Sequence, residues 1–182
     1  MKSSSPQQLR ILHGECHAEA ERVLAWRLHQ AAVLLEMRRD GLAGYLPDSS
    51  LVGPSLRELQ ADVDLLSPDS FNLRLLSPVE LCLRSRALGG DSPHLDLTMA
   101  ASMFRSGQVE EGRDLYVQAL LKAENRAIRA RCLTSLAAIY CVEGDLVAAA
   151  SFSQAAMREN SGMRIVQSNF LEIEERVDET GE

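Results

Sequence analysis

The chain has 182 residues, of which 46% are hydrophobic and only 4% aromatic, so its core consists mainly of Leu, Ala, Val and Ile. Such side chains favour helix packed on helix over a β-sandwich, whose strands are rich in aromatic and β-branched residues. The net charge of −7 argues against nucleic acid as the main ligand, because phosphate binding needs a concentrated cationic face. No apolar run reaches the length of about 18 residues that a membrane span requires, so we expect no membrane insertion.

The lack of an apolar span and the polar start of the chain predict a cytoplasmic protein. Residues 1–90 carry 10 basic and 11 acidic side chains, whereas residues 91–182 carry 9 basic and 15 acidic ones. The polar start, Met1 to Pro6, lacks the apolar core of a signal peptide. The four cysteines are scattered and form no Cys-x-x-Cys pair, so we expect neither disulfides nor a cofactor.

The first part of the chain predicts a helical region. Ser5 and Pro6 form a helix start, and residues 7–39 are strong helix formers that Gly14 could divide. Their apolar stripe contains Leu24, Leu28, Ala31, Ala32 and Leu35. After Gly41 and Gly44 end this helix, the sequence predicts a loop over 45–54 and short helices over 56–66 and 78–88. We place a domain boundary after residue 90.

The second part, residues 91–182, predicts five helices joined by short turns. Ser92 and Pro93 start the first helix, and Gly107 and Gly144 each make a turn. The expected helices cover 93–106, 108–122, 126–143, 145–159 and 163–177. The last of them is amphipathic, with an apolar stripe of Ile165, Val166, Phe170, Ile173 and Val177. Its outer face carries Glu172, Glu174, Glu175 and Arg176, as expected of a helix that covers the end of a repeat stack.

Two stretches within the second part are variants of one pattern. When Gly107 is aligned with Gly144, residues 99–119 match residues 136–156 in the order of small, large and turn side chains. Such an internal match indicates one helix pair built twice and stacked.

These two helix pairs, over about residues 93–161, resemble tetratricopeptide repeats. The residues in consensus places are Ala100, Met103, Gly107, Gly112, Tyr116 and Ala119 in the first pair, and Leu136, Ala137, Tyr140, Gly144, Ala149 and Ala156 in the second. The resemblance implies an all-α fold: an α-solenoid with a C-terminal capping helix, preceded by the N-terminal helical region. Small residues would let paired helices approach, and Met103, Tyr116 and Tyr140 would fill the gaps between pairs. The chain departs from the family in its repeat length, at Asp96 and at Ser153.

The resemblance also implies a groove lined by the first helix of each pair. Its expected partner-binding residues are Leu97, Ala101, Phe104, Arg105, Arg131, Ser135 and Ala138, with Thr98 and Thr134 beside them. This mixture suits a peptide or helix that has apolar anchors and an acidic group near an arginine. The family's carboxylate clamp of Lys and Asn is missing from these places. In the alternative reading, the chain's own N-terminal helices fill the groove.

A non-catalytic interaction protein, either an adaptor or a binding chaperone of one protein partner, is the function that these features predict. No phosphate-cradling glycine loop, nucleophile elbow or His-Glu-x-x-His motif is present, so we expect no catalytic residues. The alternatives are a homodimer formed through the repeat face and a regulatory subunit of a larger bacterial or eukaryotic assembly. The N-terminal region is either an unrelated helical bundle or a hidden repeat that begins near Arg27.

Three further groups of residues have more than one interpretation. His13, Cys16 and His17 have metal-ligand spacing on a helix, but an ordinary polar surface is the favoured interpretation and no metal is expected. The arginines Arg126, Arg129 and Arg131 either meet an acidic partner or pair with Glu124 and neighbouring acids. Trp26 is either a packing residue, which we favour, or an exposed anchor for a partner.

Overall fold

The computed structural model describes residues 6–39, 55–67 and 71–180, and all regular elements in these ranges are helical. The helices are α1 (Pro6–Arg39), α2 (Leu56–Leu66), α3 (Pro78–Ala87), α4 (Pro93–Arg105), α5 (Val109–Lys122), α6 (Arg126–Glu143), α7 (Leu146–Asn160) and α8 (Arg164–Thr180). A 3-10 turn, Leu73–Leu75, precedes α3. The expected all-α class is confirmed for these residues. Among the described helices, none combines the length and apolar composition needed to cross a membrane.

The chain divides into two compact units, Met1–Asp91 and Ser92–Glu182. Gly14 does not interrupt α1, which continues through it as one helix. The expected cap at Ser5 and the expected loop over 45–54, with the glycines before it, lie outside the described residues.

In the first unit, α2 and α3 both pack against α1. The predicted stripe of α1 is buried at Leu24, Leu28, Ala31 and Ala32, while Leu35 is half-buried. The buried Ser85 hydroxyl on α3 donates a hydrogen bond of 2.7 Å to the carbonyl oxygen of Ala25, which fixes α3 against α1.

Capping boxes start α2 and α3. Glu58 and Glu80 each accept a hydrogen bond from the backbone N–H of the capping serine, and each serine hydroxyl accepts one from the glutamate N–H. Hydrogen bonds from Ser55, through its side chain and its backbone, lower the pKa of Glu58, and those from Ser77 do the same for Glu80. Because both boxes need the ionised carboxylate, they are complete above the ordinary glutamate pKa and are lost as the pH falls through the lowered value.

In the second unit, each helix contacts the next along the chain, and α6 also contacts α4 and α8. The α4–α5 and α6–α7 hairpins turn in the same way. Gly107 and Gly144 have φ angles of +86° and +85°, in the left-handed region that favours glycine. At each turn the residue after the glycine donates its N–H to a carbonyl five residues back, from Gln108 to Met103 and from Asp145 to Tyr140, both at 3.0 Å. The aligned glycines therefore perform the same backbone task.

Small residues bring the helices of each hairpin together, as predicted. A Cβ atom added to Gly112 would lie 3.1 Å from the carbonyl oxygen of Ala100, so α4 and α5 touch through backbone atoms here. In the second hairpin, Ala137 and Ala149 are fully buried and share a cluster with Ile173 of α8. The side chains at these places must be small because the helices approach so closely.

Charged and aromatic groups join the two hairpins. Arg113 of α5 forms ion pairs with Glu110 and with Glu143 at the end of α6. Its guanidinium carbon lies 5.3 Å from the centre of the Tyr140 ring, and that ring stacks on Phe152 of α7 with centroids 5.2 Å apart. The Tyr140 ring thus contacts Phe152 within its own hairpin and Arg113 of the preceding one.

The last helix, α8, covers α6 and α7 through Val166 and Ile173, both buried. Asn169 adds a hydrogen bond of 2.8 Å from its side-chain amide to the carbonyl oxygen of Thr134. The prediction for Ile165 is wrong, because this side chain is exposed beside the buried Val166. The observed stripe repeats at intervals of three and four residues from Val166, and Ile165 is one position outside it.

Candidate functional site

The first expected row of groove residues lies on α4. Leu97, Ala101 and Phe104 follow one another at intervals of four and three residues, which places them on one side of the helix. Ala101 and Phe104 are half-buried and remain accessible. Leu97 is only 7% exposed, so its expected role in contacting a partner is wrong. It belongs to the core instead, because burial extends almost around α4 at this level, through Leu95, Asp96, Leu97, Met99 and Ala100.

The second row lies on α6, and it extends beyond Ala138, the last residue of this helix that was predicted from the sequence. Arg131 is exposed, while Ser135 and Ala138 are half-buried. Their spacing of four and three residues continues to Val142, whose side chain is 73% exposed. The signal for Val142 was present in the sequence, since it lies eleven positions after Arg131 on the same side of the helix. This row therefore has a cation at one end and an apolar group at the other.

Tyr116 connects the two rows. Burial raises the pKa of this phenol on α5, while a hydrogen bond with Ser135 and the charges of Arg105 and Arg131 lower it. Because Ser135 is engaged with Tyr116 inside the unit, its main contribution is to hold α6 against α5.

The three arginines near the start of α6 do not form one cluster. Arg129 and Arg126 both reach Glu159 of α7, at N–O distances of 2.9 and 3.5 Å. Arg126 also donates a hydrogen bond of 2.6 Å to the carbonyl oxygen of Arg158. Their acidic partner is therefore Glu159 rather than the Glu124 that the sequence suggested. Only Arg131 contributes to the row with Ser135 and Ala138.

Asp96, noted in the sequence as a departure from the repeat pattern, lies in the core of the second unit. Its carboxylate is 0% exposed, and one oxygen lies 3.0 Å from the Lys122 ammonium at the end of α5. A buried charge requires such a partner, because its removal from water is otherwise too costly. The ion pair explains how the first hairpin accepts an acid at this place.

Cys132 lies near this carboxylate, and we expect its thiol to be unreactive in the native protein. Burial raises the pKa of Cys132 to about 11, an effect that Arg131 opposes and Asp96 reinforces. At about pH 8 the reactive thiolate is therefore a minor species.

Iodoacetamide should modify the half-buried Cys141 of the folded protein well before Cys132, and mass spectrometry measures the extent of modification at each cysteine. Equal rates for the two cysteines would contradict this assignment, and denatured protein provides the control.

The candidate metal cluster is described only at His17. The Nδ1 atom of His17 lies 3.4 Å from a carboxylate oxygen of Glu21. The side chains of His13 and Cys16 are outside the part of the chain that the structure describes. Within the described residues, no group of three His, Cys, Asp or Glu side chains is placed to hold a metal ion. The packing interpretation of Trp26 is wrong, because the ring is exposed, with the Arg27 guanidinium 4.8 Å from its centre.

No protein-family model, curated protein or solved structure matches this chain. The two rows present the exposed Arg131 guanidinium together with small and apolar side chains.

Proposed function

We propose that residues 92–182 form a module of the tetratricopeptide type that binds a segment of another protein without catalysis, as an adaptor or binding chaperone. Two hairpins with the same glycine turn, the same small-residue approach and a covering helix support this architecture. Free thiols at Cys82, Cys132 and Cys141 support the cytoplasm as the compartment in which the module acts.

One observation carries the proposal: the row on α6 runs from the exposed Arg131 to the exposed Val142 past the small side chain of Ala138. A cation followed by accessible apolar surface suits a segment that carries an acidic side chain next to an apolar one. Ala101 and Phe104 on α4, which contacts α6, add further apolar surface. The partner is thus an acidic, amphipathic helix or extended peptide.

Charge reversal on α6 tests this assignment. Arg131→Glu should weaken partner binding by about tenfold or more, because it replaces an attraction by a repulsion in a chain that is already acidic. Phe104→Glu should act similarly by placing a charge among apolar contacts. Binding is measured by quantitative mass spectrometry of proteins captured on the immobilised full-length chain, at two ionic strengths, because a charge-assisted contact weakens with salt.

Arg158→Glu is the matched control, since Arg158 is an exposed arginine on α7, a helix that carries neither row. A protein that is lost with Arg131→Glu and retained with Arg158→Glu supports the proposed face. Equal capture by all variants would contradict it. Light scattering of the same samples over a range of concentrations tests the homodimer.

A further inference from the structure

An open cleft of about 560 Å³ lies on the outer side of α2 in the first unit. All of its lining residues lie between Leu56 and Arg74, so none belongs to the rows on α4 and α6. Its volume is in the range of about 300–1,000 Å³ that is typical of small-molecule sites. The apolar side of α2 is buried, whereas Arg57, Gln60 and Asp64 lie on the opposite side and line the cleft. The segment after α2 supplies the other wall through Phe71, Asn72 and Arg74.

Hydrogen bonds hold the two walls in a fixed arrangement. The Gln60 amide nitrogen donates to the carbonyl oxygen of Phe71, and its oxygen accepts from the N–H of Leu73, both at 2.8 Å. Asn72 caps the 3-10 turn by accepting from the N–H of Arg74 at 3.0 Å. The Arg84 guanidinium covers the Phe71 ring at 4.4 Å from its centre. The cleft is therefore built by specific contacts on both sides.

The carboxylates near this cleft are already engaged. Glu58 and Glu80 belong to the capping boxes, and Asp62 forms an ion pair of 2.8 Å with Arg27. Asp64 accepts a hydrogen bond of 2.8 Å from the Gln60 amide. Among the described residues, no carboxylate pairs with Arg57 or with the Arg74 side chain. Arg57 and Arg74 thus face one cleft with no counterion among the described residues, in a chain that has more acids than bases.

The geometry points to a binding site for a small organic anion in this cleft. The phosphate or carboxylate group of the ligand pairs with Arg57 and Arg74, since guanidinium groups match these anions in shape and charge. The apolar part of the ligand lies against Phe71. Asp64 follows Arg57 by two turns of α2, about 10 Å along the helix axis. Its carboxylate repels an anionic group at that end of the cleft, and this sets the orientation of the ligand.

Phenyl phosphate and benzoate are suitable probes, because each joins an aromatic ring to one of the two anionic groups, and phenol is the neutral control. Binding to the full-length chain is measured by NMR titration. We expect phenyl phosphate, benzoate or both to bind, and phenol to bind at least about tenfold more weakly. Tighter binding of phenyl phosphate than of benzoate identifies a phosphate site, and the reverse order identifies a carboxylate site.

Arg57→Gln and Arg74→Gln should each weaken anion binding by about tenfold, and the double variant should abolish it. Arg164→Gln, which removes an exposed arginine at the start of α8, should leave it unchanged. Circular dichroism confirms that each variant is folded, as expected for exposed side chains. Failure of both anions to bind, or unchanged binding in the double variant, would overturn the proposal. Neither result affects the function proposed for residues 92–182.

Discussion

Ile173→Ala is expected to destabilise the second unit by about 2–5 kcal/mol, the usual cost of removing a large side chain from a packed core. Ile173 is 1% exposed and fills the space beside Ala137 and Ala149, two residues too small to close the cavity. Loss of this contact should release α8 from α6 and α7. Native-state hydrogen exchange measures the effect, as faster exchange of amides in α8 and in the helices that it covers.

Leu171→Ala is the matched control for this substitution. Leu171 lies on the same helix but is 67% exposed, so its truncation should change stability by less than about 0.5 kcal/mol. Similar destabilisation by the two substitutions would show that Ile173 does not attach α8 to the rest of the unit.

Gly112→Val is expected to destabilise the second unit by about 1–3 kcal/mol through overpacking. A Cβ at this place already lies 3.1 Å from the carbonyl oxygen of Ala100 and 3.2 Å from the backbone nitrogen of Phe104. Because these are backbone atoms, α4 and α5 must separate to admit two further methyl groups. Thermal unfolding monitored by circular dichroism, together with hydrogen exchange of α4 and α5, measures the change.

Gly162→Val is the control for this second substitution. A Cβ at Gly162 meets only the side-chain oxygen of Asn160, at an ordinary distance of 3.5 Å. We expect little change in stability there. If Gly112→Val were as stable as the parent, the close approach of α4 and α5 through Gly112 would be wrong.

Local structure was predictable from the sequence because it depends on neighbouring residues. The bounds of α2 were predicted to the residue, and so were those of α6. The turns at Gly107 and Gly144 were equally clear, since a left-handed residue after a helix is most often glycine. Gly14 could have divided the first helix but does not, because a single glycine costs a helix only about 1 kcal/mol, which neighbouring residues offset.

Pairing between distant residues was not predictable in the same way. Helical spacing shows which side of a helix a charge occupies, but not which helix faces it. Glu159 as the partner of Arg126 and Arg129, and Lys122 as the partner of Asp96, depend on how the helices pack. The burial of Leu97 has the same origin. The cleft beside α2 was likewise absent from the sequence reading, because its walls are joined by the long-range bonds of Gln60.

Site-specific photocrosslinking on the full-length chain tests the proposed binding face most directly. A photoreactive residue at Ala138, in the row on α6, should crosslink to a partner segment that contains Asp or Glu beside apolar residues. The same residue at Gln154, an exposed position on α7, should not capture that segment. Crosslinking of one partner at both positions, or at Gln154 alone, would contradict binding on the face formed by α4 and α6.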